Sequence, residues 1–524
     1  MQINVFYDRK LTAQHFVGLT ERHASVATER HASVATSASK SKSASGFCIS
    51  SMEDEENNKK RKQQKQGKKA VVVERPRRVA RERPPSPTEK QEEDDIEDIV
   101  KWSFSGDETH KISECLLEWY DLNKRDLPWR SKKLDSSSPS QPQEERAYGV
   151  WVSEVMLQQT RVQTVIQYYN RWMHKWPTLH LLSQASLEEV NEMWAGLGYY
   201  RRARFLLEGA KMVVAGGGRF PKTVSELRKI RGIGDYTAGA IASIAFGEVV
   251  PVVDGNVIRV ITRLRAISAN PKDLVTVKKI WKLAAQLVDP IRPGDLNQAL
   301  MELGATVCTP LNPNCSSCPA SGHCHALSVS GHDSLVQVTD FPAKGVKVKQ
   351  RHDFSAVCVV ELLGGQKKLE GNQSDSRFLL VKRPDEGLLA GLWEFPSVLL
   401  DGDAGLATRR EAIDHFLEKK FGLDSKKTGN IVVRKDVGEF VHMFTHIRLK
   451  VFVELLVVRL KGRKNHLFGK QDKEAMHWKC VDGDALSSLG LTSAVRKAYI
   501  MVQKFKQEKL SNNVTPSRKR NRMT

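Results

Sequence analysis

The chain has 524 residues, with 82 Lys and Arg against 61 Asp and Glu and a formal net charge of +21 at pH 7. This length favours two or three domains, and the excess of positive charge favours a polyanionic partner such as nucleic acid. No apolar run approaches the roughly 20 residues that a membrane-spanning helix needs, so the composition argues against a membrane protein.

Residues 1–106 are predicted to be a disordered, basic N-terminal region. They are rich in Ser, Ala, Lys, Arg and Pro, and no aromatic residue occurs between Phe47 and position 100, so this segment lacks the side chains that build a core. The octapeptide ERHASVAT occurs twice in tandem at 21–36. Basic clusters at 59–62 and 517–522 predict a nuclear location or non-specific DNA contacts, and the Ser/Ala-rich start leaves an organelle isoform open.

The next region, 107–325, is predicted to be an all-helical domain. Apolar residues recur at helical spacing from Ile112, and Gly149–Trp176 predicts a long helix or a pair of helices. Further helical segments follow up to Leu303, separated by Gly or Pro. No convincing alternation of polar and apolar residues predicts a strand here.

The pattern changes after an interdomain linker at 326–350, which contains no cysteine. Residues 351–507 are predicted to be a separate α+β domain, and 508–524 a basic tail. The predicted strands and helices of this domain are, in order, the strands Ala356–Leu362 and Arg377–Lys382, the helix Thr408–Gly422, the strands Phe440–His446 and Arg448–Val458, and the helix Ser493–Lys506.

Two short motifs in the helical region carry the first sign of chemistry. Gly232-Ile-Gly234 joins two predicted helices, and the glycines allow a tight turn and a close approach of the backbone to a ligand. The amides that open the second helix then form an anion site, as in a helix-hairpin-helix clamp on a DNA phosphate. Asp254 follows Tyr236 by eighteen residues. Taken alone, Asp254 is better explained as the cap of the helix Asn256–Leu264.

Four of the eight cysteines form the run Cys308-x6-Cys315-x2-Cys318-x5-Cys324. Such closely spaced thiolates indicate a metal centre rather than a disulfide framework. A four-cysteine zinc site usually shows two C-x2-C pairs, and only one is present. Four thiolates also hold a [4Fe–4S] cluster, and the spacing alone does not separate the two.

The order of hairpin, aspartate and four cysteines resembles the endonuclease III superfamily of DNA glycosylases. Three further segments are similar to its adenine DNA glycosylase branch, the MutY-type enzymes, and these are Leu127-Pro-Trp129-Arg130, Trp151–Thr160 and Gly196-Leu-Gly-Tyr199-Tyr200. The resemblance implies a helix-hairpin-helix glycosylase domain and favours a [4Fe–4S] cluster, held by the four cysteines, over zinc.

The resemblance also implies roles for individual residues in the removal of adenine from DNA. Glu154 matches the catalytic acid that protonates adenine, and Asp254 matches the carboxylate that stabilises or captures the sugar cation. Asn256 and Tyr236 match positions that support Asp254 and the sugar. Four residues match the lining of the family's adenine pocket, and these are Arg125, Trp129, Arg130 and Gln298. Four others match the family's DNA-binding positions, and these are Gln159, Tyr199, Gly232 and Gly234.

The resemblance further implies a monofunctional enzyme. Relatives that also cut the strand carry a lysine at the position of Tyr236, and a tyrosine cannot form their Schiff base. The C-terminal domain resembles the MutT/Nudix fold through Gly387–Pro396. The helix containing Arg410–Glu418 lacks the paired glutamates that hold Mg²⁺, so binding without hydrolysis is expected. The family recognises 8-oxoguanine through a hydroxyl in a Phe-Ser-His loop, and here Thr445 supplies that hydroxyl.

The expected partner is therefore double-stranded DNA with adenine opposite 8-oxoguanine or guanine, bound by a monomer. Partner proteins of the replication and repair machinery are possible but unidentified. Three other functions stay open. They are a bifunctional endonuclease III-like glycosylase, a non-catalytic DNA-lesion sensor and a nucleotide hydrolase in the C-terminal domain. Tyr236 argues against the bifunctional glycosylase. The presence of both Glu154 and Asp254 argues against the lesion sensor, and the missing glutamates argue against the nucleotide hydrolase.

Overall fold

The computed structural model describes residues 102–130, 143–345, 349–363, 376–384, 386–423, 431–459 and 476–512. Most of the predicted disordered region, the tandem octapeptide and the C-terminal basic cluster lie outside these described residues. No helix within the described ranges is both long and apolar enough to cross a membrane.

In the region predicted to be helical, the described residues form helices and contain no strand. The segment around Gly149–Trp176 is a pair of helices, the first of which begins earlier than predicted, at Gln143. The helices are α1 (Gly106–Asn123), α2 (Gln143–Leu157), α3 (Val162–Lys175), α4 (Leu179–Gln184), α5 (Leu187–Trp194), α6 (Arg201–Ala215), α7 (Val224–Leu227), α8 (Asp235–Phe246), α9 (Gly255–Leu264), α10 (Leu274–Leu287), α11 (Pro293–Thr306) and α12 (His325–His332).

Local sequence signals explain where several of these helices begin and end. Ser105 caps α1 by accepting a hydrogen bond from the amide of Glu108, whose carboxylate accepts from the amide of Ser105. This reciprocal pair satisfies two amides that a helix start leaves free. Gly247 ends α8 in the left-handed conformation, with φ of 74°, which glycine adopts without steric cost.

Two hydrophobic clusters form the helical region. The first is built around the tryptophans Trp151, Trp172 and Trp194, and the second contains residues of α1, α9, α10 and α11. Helix α11 packs against α1, α8 and α9, and so lies between the clusters. Glycines allow this approach, since a Cβ on Gly294 would lie 2.6 Å from the Ser243 carbonyl oxygen, and one on Gly304 would lie 2.7 Å from Asn256 Cβ.

The segment 326–350, predicted to be a linker, has structure of its own at its start. It contains most of α12 and a single 3₁₀ turn at Val338–Asp340. Ala326, Val338 and Phe341 form a small buried cluster there. The start of the segment therefore packs both against itself and against the helical region, where Arg263 donates to the Phe341 carbonyl.

The C-terminal region contains one mixed sheet with the strand order β3-β2-β1-β6-β5, with β4 paired to β1 and β7 paired to β2. The central pair β1 and β6 is parallel, whereas the other pairs are antiparallel. The elements are β1 (Arg351–Leu363), β2 (Ser376–Lys382), β3 (Trp393–Glu394), β4 (Ser397–Leu400), α13 (Leu406–Phe421), β5 (Ile431–Met443), β6 (Ile447–Arg459), β7 (Trp478–Asp482), α14 (Gly483–Ser488) and α15 (Ser493–Asn512).

Helices cover both faces of this sheet. Along β1, Val359 points to the face covered by α14 and α15, while Cys358 and Val360 point to the face covered by α13, as the two-residue repeat of a strand requires. The predicted helix and strands are all present with shifted bounds, and Gly422 ends α13 as predicted, with φ of 64°. Strands β3, β4 and β7 were not predicted, and α15 extends beyond residue 507.

The two regions contact each other directly. Leu392, which precedes β3, is buried in the first helical cluster. The hydroxyl of Tyr200 donates to the Leu491 carbonyl at 3.3 Å. Gly490 approaches α5 so closely that a Cβ there would lie 2.7 Å from the Asn191 carbonyl oxygen. This contact sets one edge of the candidate site beside the C-terminal sheet.

Candidate active site

Glu154 lies on α2, in the junction between the two helical clusters, and is only 5% exposed. The hydroxyl of Tyr236, in the first turn of α8, donates a hydrogen bond to its Oε2 atom. Burial raises the pKa of Glu154 to about 7, the charge of Asp254 adds to this rise, and the Tyr236 hydrogen bond and the Arg130 charge oppose it. A carboxyl group with this pKa holds a proton near neutral pH and can donate it to a reactant.

Asp254 is the N-cap of α9, so the capping interpretation of the sequence is correct as local structure. Its Oδ1 atom accepts hydrogen bonds from the amides of Asn256, at 2.8 Å, and Val257, at 2.7 Å. Its Oδ2 atom accepts from the side-chain amide of Asn256 at 2.8 Å. Burial raises the pKa of Asp254, and these three N–H donors oppose the rise. The cap therefore also fixes a buried carboxylate close enough to Glu154 to affect its pKa.

Tyr236 connects these two carboxyl groups. Burial and the charges of Glu154 and Asp254 raise the pKa of its hydroxyl well above the usual value, so the group stays a neutral donor. The hydroxyl also lies 3.6 Å from the Met301 sulfur on α11. Glu154, Asp254, Asn256 and Tyr236 are thus brought together from α2, α8 and α9.

The predicted adenine-pocket arginines converge on a residue that the sequence analysis did not identify, Glu302. Arg125 binds it through Nε at 2.5 Å and Nη2 at 2.8 Å, and Nη2 of Arg130 lies 2.9 Å away. The Glu302 side chain is 1% exposed. Among the described residues, the buried Nε atom of Arg130 has no hydrogen-bond partner. Buried donors are normally paired. An unpaired one therefore suggests that its acceptor belongs to a bound molecule.

The other two predicted pocket residues have structural contacts of their own. Trp129 packs edge-on against Tyr169, with ring centroids 5.3 Å apart. The side-chain amide of Gln298 donates to the Gly294 carbonyl at 3.2 Å and is buried on α11. Gln298 and Glu302 are one helical turn apart and therefore lie on the same face of α11.

Gln159 and Tyr199, the predicted wedge residues, both have left-handed backbones, with φ of 55° and 48°. Residues other than glycine rarely adopt this conformation, and such strain is concentrated at functional sites. Tyr199 is 46% exposed whereas Tyr200 is buried, so one ring of the pair lies partly exposed at the surface. The hydroxyl groups of Tyr199 and Thr445 lie 2.8 Å apart, which joins the wedge to the predicted 8-oxoguanine contact.

Buried Arg202 connects the loops that carry the two wedge residues, and the sequence analysis did not identify it. Its Nη1 atom donates to the carbonyls of Val155 and Met156, both at 3.0 Å, and of Gln158. Its Nη2 atom donates to the Gly198 carbonyl at 3.2 Å. One guanidinium therefore satisfies backbone groups on both loops.

The predicted hairpin is present between α7 and α8. Gly232 has φ of 91°, and a Cβ there would lie 2.5 Å from Phe205 Cβ, so both conformation and space require glycine. Gly234 is the N-cap of α8. The amides that open α8 have the orientation that binds an anion.

The four cysteines predicted to hold a metal centre line one shared cavity together with Arg263. Burial raises the pKa of Cys318 to about 12, with the other three cysteines adding to the rise. The Nη1 atom of Arg263 donates to Cys308 Sγ at 3.2 Å. Within the described ranges, no three His, Cys, Asp or Glu side chains are arranged around a single metal ion. Four thiols around one cavity are nevertheless the donor set that an iron–sulfur cluster uses.

A chain of hydrogen bonds runs from the first of these cysteines towards Asp254. Arg259 donates through Nε to the Cys308 carbonyl and through Nη2 to Asn256 Oδ1, both at 2.8 Å. Asn256 in turn donates to Asp254. The cysteine cavity therefore braces the helix that presents Asp254.

The C-terminal helix α13 carries no free pair of carboxylates at the positions that a Nudix hydrolase needs. Asp414 is bound by Arg434 at 2.7 Å. The same arginine and Arg410 bind Glu454 on β6, at 3.1 and 2.5 Å. These two carboxylates therefore neutralise arginines.

The residues that the sequence analysis missed, Glu302, Arg202 and Arg259, share a property. Each is a charged side chain with at least one partner more than 40 positions away. In a helical sequence, such a residue is expected to face solvent. The available signal was weak: Glu302 shares a helix face with Gln298, at i and i+4. A charged residue at a helix position that is expected to face the core is a candidate for a buried ion pair.

Comparisons with known proteins agree with this geometry. Residues 152–286 match the family model described as HhH-GPD superfamily base excision DNA repair protein, and 372–500 match that of the NUDIX domain. The chain is 61% identical over 424 residues to the adenine DNA glycosylase of Arabidopsis thaliana, covering 77% of this chain and 65% of that protein. It is 46% identical over 368 residues to the mouse adenine DNA glycosylase, covering 64% of this chain and 68% of that protein. It is 36% identical over 385 residues to the adenine DNA glycosylase of Schizosaccharomyces pombe, covering 66% of this chain and 81% of that protein. The matched part thus spans about two thirds of the first two relatives.

Proposed function

Because this chain belongs to the adenine DNA glycosylase family, we propose that it hydrolyses the N-glycosidic bond of adenine mispaired with 8-oxoguanine or guanine in duplex DNA. The product is an abasic site, and the pathway is base excision repair. The observation that carries this proposal is the buried Glu154, whose pKa of about 7 suits a proton donor at neutral pH.

In the proposed reaction, Glu154 transfers its proton to a ring nitrogen of adenine. The bond from the sugar C1′ to the base then breaks, and its electron pair leaves with the protonated base. The carboxylate of Asp254 stabilises the positive charge that develops on the sugar. Water adds to C1′, and the ionised Glu154 accepts the proton that the water loses.

The arginine pair provides recognition of the base. The buried Nε–H of Arg130 lacks a partner among the described residues, and a ring nitrogen of adenine is a suitable acceptor. A site with a buried donor binds the molecule that satisfies it much better than one that does not. We assign Gln298 on α11, one helical turn before Glu302, to the same pocket.

We propose a monofunctional reaction because the position of the possible nucleophile is filled by Tyr236. Its hydroxyl has a pKa raised well above the usual value and donates to Glu154. It has no amine that could form a Schiff base with the sugar. The strand should therefore break only after alkali treatment.

Adenine must leave the base stack before it can reach Glu154. The exposed ring of Tyr199 suits a wedge between base steps, and its hydrogen bond to Thr445 supports a shared role at the opposite base. We assign recognition of 8-oxoguanine to the hydroxyl of Thr445. The ion pair of Asp414 on α13 with Arg434 supports the absence of nucleotide hydrolysis.

We propose that Cys308, Cys315, Cys318 and Cys324 hold a [4Fe–4S] cluster. Their shared cavity and four sulfur donors fit this group. When bound, the cluster supplies a structural cross-link between α11 and α12. Arg263 and Arg259 attach this segment to the core, and Arg259 also orients Asn256 and hence Asp254.

The test is single-turnover excision from a labelled duplex carrying one adenine opposite 8-oxoguanine, with thymine and cytosine opposite the same lesion as controls. Release of adenine alone, with strand breakage only after alkali, supports the proposal. Breakage without alkali would support a bifunctional enzyme. Tight binding without release, in protein with a full complement of iron and sulfide, would support a lesion sensor.

A further inference from the structure

We propose that Glu302 is a positioning residue, which holds Arg125 and Arg130 in place and balances their charge so that Glu154 keeps its proton when adenine is bound. This inference rests on the proposed function and adds Glu302 to the residues that determine whether Glu154 is protonated. Glu302 acts through the arginines and is not itself assigned a contact with the base.

The contacts of Glu302 are built for two guanidiniums at once. Arg125 binds both carboxylate oxygens, at 2.5 and 2.8 Å, and its backbone amide donates to Oε1 at 3.2 Å. Arg130 binds Oε2 at 2.9 Å and also donates to the Arg125 carbonyl at 3.3 Å. A bidentate pair of this kind fixes orientation as well as charge.

Burial makes the charge of Glu302 matter. The carboxylate is 1% exposed, whereas the side chains of Arg125 and Arg130 are 36% and 14% exposed. Burial raises the pKa of Glu302, but the hydrogen bond from Arg125 and the charge of Arg130 outweigh it and lower the pKa overall. The residue is therefore an anion that cancels part of a buried positive charge.

Helix α11 connects this ion cluster to Glu154. Met301, the neighbour of Glu302, contacts the Tyr236 hydroxyl that donates to Glu154. The charged and titratable groups that act on Glu154 are Tyr236 from α8, Asp254 before α9 and Arg130 after α1. Of these, only Arg130 favours loss of the proton through its charge. Facing Glu302 are Arg125, Arg130 and the Tyr120 ring of α1.

Removal of the Glu302 charge should consequently ionise Glu154 at a lower pH. The experiment measures single-turnover excision of adenine opposite 8-oxoguanine as a function of pH. Its readout is the half-point, the pH at which the rate falls to half of its value on the acidic side. For Glu302→Gln we expect a half-point about one pH unit lower than in the unmodified protein, as for one uncompensated charge near a carboxyl group.

Two variants serve as controls. Glu302→Asp retains the anion but cannot reach both guanidiniums equally, so its rate should fall at all pH values while its half-point stays unchanged. Glu454→Gln removes another buried carboxylate that binds two arginines, in the C-terminal region. It should leave the half-point unchanged, which separates a charge effect at the site from a general loss of stability.

The outcomes decide between this inference and the proposed function. A lower rate with an unchanged half-point in Glu302→Gln would make Glu302 a structural residue and overturn the inference alone. If that variant does not fold, Arg130→Gln is measured instead, and its half-point should move to higher pH; no movement also overturns the inference. No adenine release by the unmodified protein overturns the proposed function and this inference with it.

Discussion

Two carboxylates of the helical region, Glu154 and Asp254, have surroundings opposite to those of Asp414 and Glu454 in the C-terminal region. Glu154 and Asp254 accept hydrogen bonds from a hydroxyl and from amides, and burial raises the pKa of both. Asp414 and Glu454 are instead bound by Arg434, and Glu454 also by Arg410. A carboxyl group without a cationic partner can carry a proton at neutral pH, whereas an ion-paired one stabilises the fold. This difference assigns the chemistry to the helical region.

The largest effect on the excision rate should come from replacement of Glu154, the carboxyl group without an ion-pair partner. Glu154→Gln keeps the size of the side chain and can still accept from Tyr236, but it cannot donate an ionisable proton. We expect the single-turnover rate to fall by roughly 10²–10⁴-fold, the range for a general acid, with lesion binding retained. Glu418→Gln, a change of an exposed glutamate on α13, is the control. Loss of duplex binding by Glu154→Gln would contradict the assignment.

In the C-terminal region the corresponding change should affect stability and leave chemistry intact. Glu454→Gln removes the carboxylate that pairs with Arg410 and one of the two that pair with Arg434, which keeps Asp414. We expect the free energy of unfolding to fall by about 3 kcal/mol, as for a broken buried pair, measured by chemical denaturation. The excision rate of the folded protein should not change. A large loss of rate would remove the distinction between the two regions.

The pH dependence of the unmodified enzyme sharpens the same distinction. Because the pKa of Glu154 is raised to about 7, its protonated fraction is nearly complete at pH 6 and falls about tenfold per pH unit above pH 7. Single-turnover excision should follow this fraction and decline as the pH rises. A rate that increases with pH across this range would exclude Glu154 as the proton donor.

The smallest effect is expected where the two regions meet. Thr445→Ala removes the hydroxyl that contacts Tyr199 and that we assign to the opposite base. The preference for 8-oxoguanine over guanine opposite adenine should fall by about fivefold, which corresponds to one neutral hydrogen bond. Thr445→Ser retains the hydroxyl and is the control. Equal preference in all three proteins would exclude a role for Thr445.

The sequence was sufficient to predict the motifs that depend on local conformation. Gly232 and Gly422 were predicted at turns, Asp254 as a cap, and each has that conformation here. The order of helical and α+β regions also followed from hydrophobic periodicity. Strands β3, β4 and β7 were missed because they have two to five residues, too few to establish a period of two.

Pairing of buried charges could not be predicted from the sequence. Glu302 and Arg125 are 177 positions apart, and Arg202 and Gln158 are 44 apart. Apart from the helix face that Glu302 shares with Gln298, the neighbouring residues do not distinguish a charge that meets such a partner from one that faces water. The left-handed backbones of Gln159 and Tyr199 were also unpredictable, because residues of these types rarely adopt them.

Leu392 belongs in sequence to the C-terminal region but fills the core of the helical one. Withdrawal of a buried leucine leaves a cavity, at a cost of about 2–5 kcal/mol. A cut in the chain between α12 and β1 would therefore leave the halves associated until this side chain is released. The helical region expressed alone would be less stable, because the apolar side chains that surround Leu392 would be exposed to water. The contact at Leu392 thus makes the stability of the helical region depend on the presence of the C-terminal one.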